Sequence, residues 1–92
     1  PARVRQALMG GFAGSKILEV HGERMIKRTF DPGFRIELHQ KDLSLALSGA
    51  RALGVSLPNT ATAQELFNAC DGKLDQSALV KALEGLAGHT LA

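Results

Sequence analysis

The fold is decided by residues 34–53, which read FRIELHQKDLSLALSGARAL. On a helix of about 3.6 residues per turn, this stretch has apolar side chains on two opposite faces instead of one. The first face collects Ile36, Leu43, Leu47 and Ala50, with His39, Ala46 and Leu53 toward its edge. The second face collects Phe34, Leu38, Leu45 and Ala52. We therefore expect one face to pack inside the domain and the other to meet a second structural unit.

A lysine lies in the middle of the second face. Lys41 follows Leu38 by three residues and precedes Leu45 by four, and Asp42 lies at the edge of the same face. The spacing leaves two interpretations open. The side chain can lie along the two leucines and lift its ammonium into water. Alternatively, the ammonium faces an anionic or polar ligand in a cleft, because an unpaired buried ammonium is strongly unfavourable.

The rest of the chain also has helical spacing of apolar residues, and no segment alternates as a strand does. The class predicted is all-α, a compact domain of about five helices. The boundaries follow from residues that start or stop helices. In chain order they are Pro1 to Gly10-Gly11, Ser15 to Arg28, Phe34 to Gly54, Pro58 to Asp71-Gly72, and Asp75 to Gly88.

The apolar and charged residues of these helices predict three further details. The fourth helix is expected to carry Cys70 as a buried core residue. The last is expected to bury a stripe of Leu79, Val80, Leu83 and Leu86. A basic trio at the end of the second helix indicates either a solvated helix end, favoured by the helix dipole, or a phosphate site. Its members are Arg24, Lys27 and Arg28.

Composition restricts the classes of function. The chain has 92 residues, enough for one core, and 11 basic and 9 acidic residues are interspersed without a basic block. Nucleic acid is therefore not an expected partner, and no apolar run approaches a membrane span. The single cysteine excludes an internal disulfide and suggests a reducing cytoplasm. The three histidines lack metal-ligand spacing, so no metal site is predicted.

Several segments resemble the β-hydroxyacid dehydrogenase family. The matching stretch is DPGF at 31–34 followed by LHQKDLSLAL at 38–47, which is similar to the family's helix with a Lys-Asp-Leu signature. The likeness continues upstream at GGFA, residues 10–13, and downstream at DQSAL, residues 75–79. Nearly the whole chain is covered. The resemblance implies a helical C-terminal domain of the 6-phosphogluconate-dehydrogenase-like type over residues 1–92, with the N-terminal Rossmann domain absent from this chain.

The resemblance also implies a function. The expected cofactor is NAD or NADP, and Lys41, Phe34 and Asp42 would bind it: Lys41 would reach cofactor or substrate, Phe34 would form a wall of the cleft, and Asp42 would fix the lysine's surroundings. The family's catalytic lysine lies upstream of this segment, so no catalytic residue is expected here and the chain alone should be inactive. Partners would be its own Rossmann domain, a small hydroxy or oxo acid and further copies of the same chain.

The substrate is less directly indicated. Within the family, the stretches HGERM at 21–25 and LPNTAT at 57–62 look most like members that act on tartronate semialdehyde. The resemblance then implies reduction of this aldehyde to glycerate by hydride transfer. Another short 3-hydroxy acid, such as 3-hydroxyisobutyrate, is the alternative. A non-catalytic helical interaction module, whose two-faced helix docks onto a partner protein, is the alternative from a different class.

Overall fold

The computed structural model describes residues 1–91, which form five α-helices and one 3-10 turn. The helices are α1 (Ala2–Met9), α2 (Lys16–Lys27), α3 (Ile36–Leu53), α4 (Pro58–Asn68) and α5 (Val80–Ala87), with the 3-10 turn at Gln76–Leu79. The all-α prediction is confirmed. Within residues 1–91, no helix is both long and apolar enough to cross a membrane.

Local signals account for most of the boundaries. The Ser15 hydroxyl accepts the N–H of Leu18 at 3.0 Å and so caps α2. Gly54 and Gly88 end α3 and α5 with φ of 69° and 64°, a left-handed conformation that glycine adopts without steric cost. Asp75 accepts the N–H of Ser77 at 3.0 Å and caps the 3-10 turn that leads into α5.

The core lies where α3, α4 and the start of the last helix meet. Its buried members are Phe30, Ile36, Phe67, Ala78 and Val80. The first face of α3 supplies Ile36 and Ala50, both buried, and Leu43 and Leu47, both half-buried. This is the inward packing that the two-faced pattern predicted for one side of the helix.

Polar side chains connect α3 to α4. The Gln40 amide donates to the carbonyl of Phe67 at 2.9 Å, and the Gln64 amide donates to the hydroxyl of Ser44 at 3.0 Å. The second apolar face of α3 lies on a different side of the helix from Gln40 and Ser44, and its Leu45 is 65% exposed.

Helix α1 lies outside this core. It has no buried residue and is held to α2 by the Arg5 guanidinium, which donates to the carbonyls of Leu18 at 3.3 Å and Glu19 at 2.7 Å. Val4 and Leu8 are therefore exposed, and Phe12, just after the helix, is fully exposed.

Two expectations about the later helices were wrong. Helix α4 ends at Asn68, before Cys70, although Cys70 still packs against the core and burial raises the pKa of its thiol. In α5, Leu83 and Leu86 are 47% and 78% exposed, whereas Val80 at its start and Leu79 in the preceding 3-10 turn pack inward. The physical reason is that only the first turn of α5 reaches the core. The apolar residues of its later turns, Leu83 and Leu86, therefore lie on the surface of the domain.

The basic trio at the end of α2 divides between two roles. Lys27 pairs with Glu23 at 3.0 Å on the surface, as a solvated helix end would. Arg24 instead contacts the buried carboxylate of Asp75 at 2.8 Å, and Arg28 makes a two-pronged pair with Glu84 at 2.8 and 3.0 Å. The two arginines thus connect α2 to the last third of the chain, and the solvated-end interpretation was wrong for them.

Candidate functional site

The second face of α3 has no partner within the described residues. Leu45 is 65% exposed and Phe34, just before the helix, is 37% exposed. Lys41 and Ala52 are exposed, and Leu38 is half-buried. Large apolar side chains at one edge of a small domain mark a surface that meets another unit. The face is therefore open to a ligand or a second domain.

Lys41 is free to bind an external group. Among the salt bridges of residues 1–91, none involves Lys41 or Asp42. Adjacent helical residues point about 100° apart, so Asp42 does not neutralise the lysine beside it. An exposed ammonium without an ion-pair partner among residues 1–91 fits both interpretations, because it can remain in water or bind an anionic or strongly polar ligand.

Both backbone groups of Phe34, its N–H and its carbonyl, are hydrogen-bonded. Its N–H donates to Oδ1 of Asp75 at 3.1 Å, and its carbonyl accepts the N–H of Gln76 at 2.8 Å. Its ring meets the edge of His39, with centroids 6.2 Å apart and planes at 73°. His39 in turn lies 4.4 Å from the Phe67 ring and is hydrogen-bonded through Nδ1 to Oε1 of Gln76 at 2.9 Å. The ring of Phe34 is thus presented from a fixed position.

Asp75 is the buried anion of this region. Its side chain is completely buried, and Oδ1 accepts the N–H groups of Gly33 at 2.9 Å and Phe34 at 3.1 Å. Oδ2 accepts the N–H and hydroxyl of Ser77. Burial alone would raise the pKa of Asp75, but the hydrogen bonds from Ser77, Phe34 and Gly33 together hold it well below its usual range. The carboxylate is therefore ionised at neutral pH.

The loop before α3 is connected to the loop before α5 along their backbones. The N–H of Asp75 donates to the carbonyl of Phe30 at 2.9 Å. The first two N–H groups of α3, from Ile36 and Glu37, donate to Leu74 and Gly72, both at 2.9 Å. These contacts explain why α3 begins at Ile36, two residues later than expected, since the preceding peptide groups bond to the other loop.

A series of polar side chains extends from the contact between these two loops to α2. The Gln76 amide nitrogen lies 3.1 Å from Nε2 of His21, and the buried Nδ1 of His21 lies 3.8 Å from Oδ2 of Asp75. His21 also lines a mainly apolar cavity of about 370 Å³ with Ile17, Met25 and Phe67. Lys41, Phe34 and Asp42 do not line it, so it is separate from the open face of α3.

Sequence reasoning brought out Lys41, Phe34 and Asp42 but missed Arg24 and Asp75 as parts of the same region. Asp75 was recognised only as a helix cap, a role that involves neighbours two residues away. Its bonds to Gly33 and Phe34 span 42 and 41 residues, a separation that no local pattern indicates. In the described residues, no group of three or more His, Cys, Asp or Glu side chains is placed to hold a metal ion.

Comparison with known proteins gives one family and several relatives. The family described as NAD-binding of NADP-dependent 3-hydroxyisobutyrate dehydrogenase matches residues 1–83. A 2-hydroxy-3-oxopropionate reductase of Escherichia coli K12 is 71% identical over 96 residues, covering all of this chain and 33% of the relative. A probable mitochondrial 3-hydroxyisobutyrate dehydrogenase-like protein of Arabidopsis thaliana is 40% identical, covering 88% of this chain and 25% of the relative.

A third relative differs in its named substrate. The 2-(hydroxymethyl)glutarate dehydrogenase of Eubacterium barkeri is 35% identical over 89 residues, covering 90% of this chain and 30% of the relative. The chain therefore spans a third or less of the length of these curated relatives.

Proposed function

The chain belongs to the 3-hydroxyisobutyrate dehydrogenase family, and from that membership we propose that it is the helical domain of an NAD(P)-dependent tartronate semialdehyde reductase. The proposed reaction reduces the aldehyde of 2-hydroxy-3-oxopropionate to the alcohol of glycerate. The observation that carries the proposal is the 71% identity, over the whole chain, to a relative named for that reduction.

The open face of α3 suits a dinucleotide. Such a ligand combines anionic phosphates and a polar carboxamide with flat apolar rings, and the face combines the unpaired Lys41 with the exposed edge of Phe34. The cofactor supplies the hydride when bound, while the protein orients and polarises. We assign Lys41 to a polar or anionic group of the dinucleotide, beside the substrate, and Phe34 to the apolar wall of the cleft. Asp42 is assigned to fixing the surroundings of Lys41.

The catalytic acid belongs to another part of the protein in this proposal. Family resemblance assigns that role to a lysine upstream of the present segment, and the Rossmann domain would hold most of the dinucleotide. The 92-residue chain is therefore expected to show no turnover on its own. Reductase activity in the isolated chain would contradict this assignment.

Further partners follow from the exposed apolar surface. Leu45 on α3 would be covered by the Rossmann domain, and Val4, Phe12 and Leu86 offer surface for a second copy of the protein. We propose a homo-oligomer on this basis and place it in the cytoplasm, where a single free cysteine stays reduced. Sedimentation of the full-length protein tests the oligomer, and a monomer at micromolar concentration would contradict it.

The substrate is the point on which the alternatives diverge. A 3-hydroxyisobutyrate dehydrogenase has support from the family match and the Arabidopsis relative, although the latter is only 40% identical. The test is an assay of the full-length protein with tartronate semialdehyde, glycerate and 3-hydroxyisobutyrate, each with both nicotinamide cofactors. A site that hydrogen-bonds the hydroxyl of tartronate semialdehyde should discriminate strongly against an acid that lacks it.

Each outcome of that assay tests a different part of the proposed function. A higher kcat/KM with the tartronate semialdehyde and glycerate pair supports the proposal. A higher kcat/KM with 3-hydroxyisobutyrate moves the protein to the alternative substrate. Absence of activity with all of them, together with absence of dinucleotide binding, would favour the non-catalytic interaction module.

A further inference from the structure

We propose that Asp75 is a positioning residue for the dinucleotide site: through the backbone of Gly33 and Phe34 it fixes the Phe34 ring and the start of the helix that carries Lys41. The inference rests on the proposed function of the α3 face. It adds a residue that touches neither cofactor nor substrate and that acts from the protein interior.

The Asp75 carboxylate has three donors on one oxygen. One oxygen, Oδ1, accepts two successive backbone N–H groups, from Gly33 at 2.9 Å and Phe34 at 3.1 Å. The same oxygen contacts Arg24 at 2.8 Å. A single ionised oxygen with these three donors holds the peptide before Phe34 more firmly than a neutral acceptor would.

A direct path leads from this peptide to the site. The Phe34 carbonyl accepts from Gln76, the residue after Asp75, so both ends of the Phe34 backbone are bound to the same short segment. The ring of Phe34 is the 37%-exposed group beside the open face. A shift of the carboxylate would therefore move the ring.

The same segment also positions Lys41. The first two N–H groups of α3 donate to Leu74 and Gly72, directly upstream of Asp75. Lys41 lies five residues after Ile36, less than two turns into a rigid helix. The loop that carries Asp75 therefore fixes where α3 begins. It also fixes the position of Lys41 along the helix axis on the open face.

A purely structural role for Asp75 would affect stability alone, so a second arginine–carboxylate pair that joins the end of α2 to the last part of the chain is needed as a control. Glu84 binds Arg28 at 2.8 Å and accepts from the backbone of Leu91, and none of its hydrogen bonds goes to the segment that carries Phe34. Glu84→Gln should lower stability without moving the cofactor site.

The experiment is a fluorescence titration of the full-length protein with NADH and NADPH, together with steady-state kinetics. Asp75→Asn removes the charge with little change of shape. We expect the Kd and KM for the dinucleotide to rise about tenfold with kcat retained, because displaced binding groups weaken ground and transition states alike. Glu84→Gln should leave both constants at their wild-type values while lowering Tm.

Two results would overturn the inference. One is a folded Asp75→Asn protein with the wild-type Kd, and the other is an equal rise of Kd in Glu84→Gln. If Asp75→Asn does not fold, Arg24→Gln keeps the carboxylate and removes its cation, together with the 3.4 Å hydrogen bond from Arg24 to the Asp31 carbonyl. That variant should raise Kd by a smaller factor, and a folded Arg24→Gln protein with unchanged Kd would be equally decisive.

Lys41→Met in the same titration separates this inference from the proposed function. If Lys41→Met raises Kd and Asp75→Asn does not, the site stands and the positioning role fails. If Lys41→Met leaves Kd unchanged, the α3 face is not the dinucleotide site, and the positioning role fails with it.

Discussion

The carboxylate of Asp75 accepts the backbone N–H of Phe34 at 3.1 Å, although 41 residues separate the two in sequence. This bond joins the loop that starts α3 to the loop that starts the last helix. It places a buried, ionised group in contact with the backbone of Phe34, whose ring is part of the candidate site. Stability and site geometry therefore depend on the same contact.

The acid stability of the chain should depend on Asp75. Its pKa is lowered in the folded state, so it adds stability above its unfolded pKa of about 3.9, and this stability is lost as the pH falls below that value. Urea unfolding of the 92-residue chain should show a declining midpoint in this acid range. Asp75→Asn should be less stable at neutral pH and lose less on acidification. Parallel pH profiles for the two proteins would contradict the assigned role.

The two faces of α3 should respond differently to truncation. Ile36 has 0% exposure in the core, so Ile36→Ala should lower the free energy of unfolding by about 3 kcal/mol. Leu45 is 65% exposed, so Leu45→Ala in the isolated chain should change it by no more than about 0.5 kcal/mol. Urea denaturation measures both. An equal loss for the two variants would show that the second face is packed.

Replacing Gly49, inside α3, and Gly54, just after it, with alanine should change the stability of the chain in opposite directions. Gly49 lies inside the helix and an added Cβ would meet nothing within 4 Å, so Gly49→Ala should stabilise the chain by about 0.5 to 1 kcal/mol. Gly54 ends the helix at a φ of 69°, so Gly54→Ala should destabilise it by about 1 kcal/mol. Thermal unfolding followed by circular dichroism compares them. A stabilising Gly54→Ala would contradict the left-handed helix end.

Local chemistry explains how much of the fold the sequence predicted. Ser15, Gly54 and Gly88 act on neighbours a few residues away, and the structure confirms each as a helix boundary. The centre of the first face of α3 was also identified correctly, because the periodicity of one helix records its own burial, whereas Leu53 at its edge is 80% exposed. Leu83 and Leu86 were placed wrongly, since an apolar stripe shows that a surface is to be covered but not whether this chain covers it.

The sequence indicated the residues of the candidate site in the same uneven way. Lys41 stood out because a charge on an apolar face is unusual, and the structure leaves it exposed and without a salt bridge among residues 1–91. The contribution of Asp75 and Arg24 was not predictable, because it depends on two loops and the end of α2 meeting in space. Only the folded chain brings these groups together.

The proposed binding of the dinucleotide by Lys41 is tested most directly by the Kd for NADH and NADPH of the full-length protein carrying Lys41→Met. The matched control is Lys16→Met, which removes another exposed lysine, at the start of α2. Loss of a charge-assisted hydrogen bond should raise Kd by about ten- to a hundredfold for Lys41→Met, with Lys16→Met at the wild-type value. Wild-type affinity in both variants would show that Lys41 does not bind the dinucleotide.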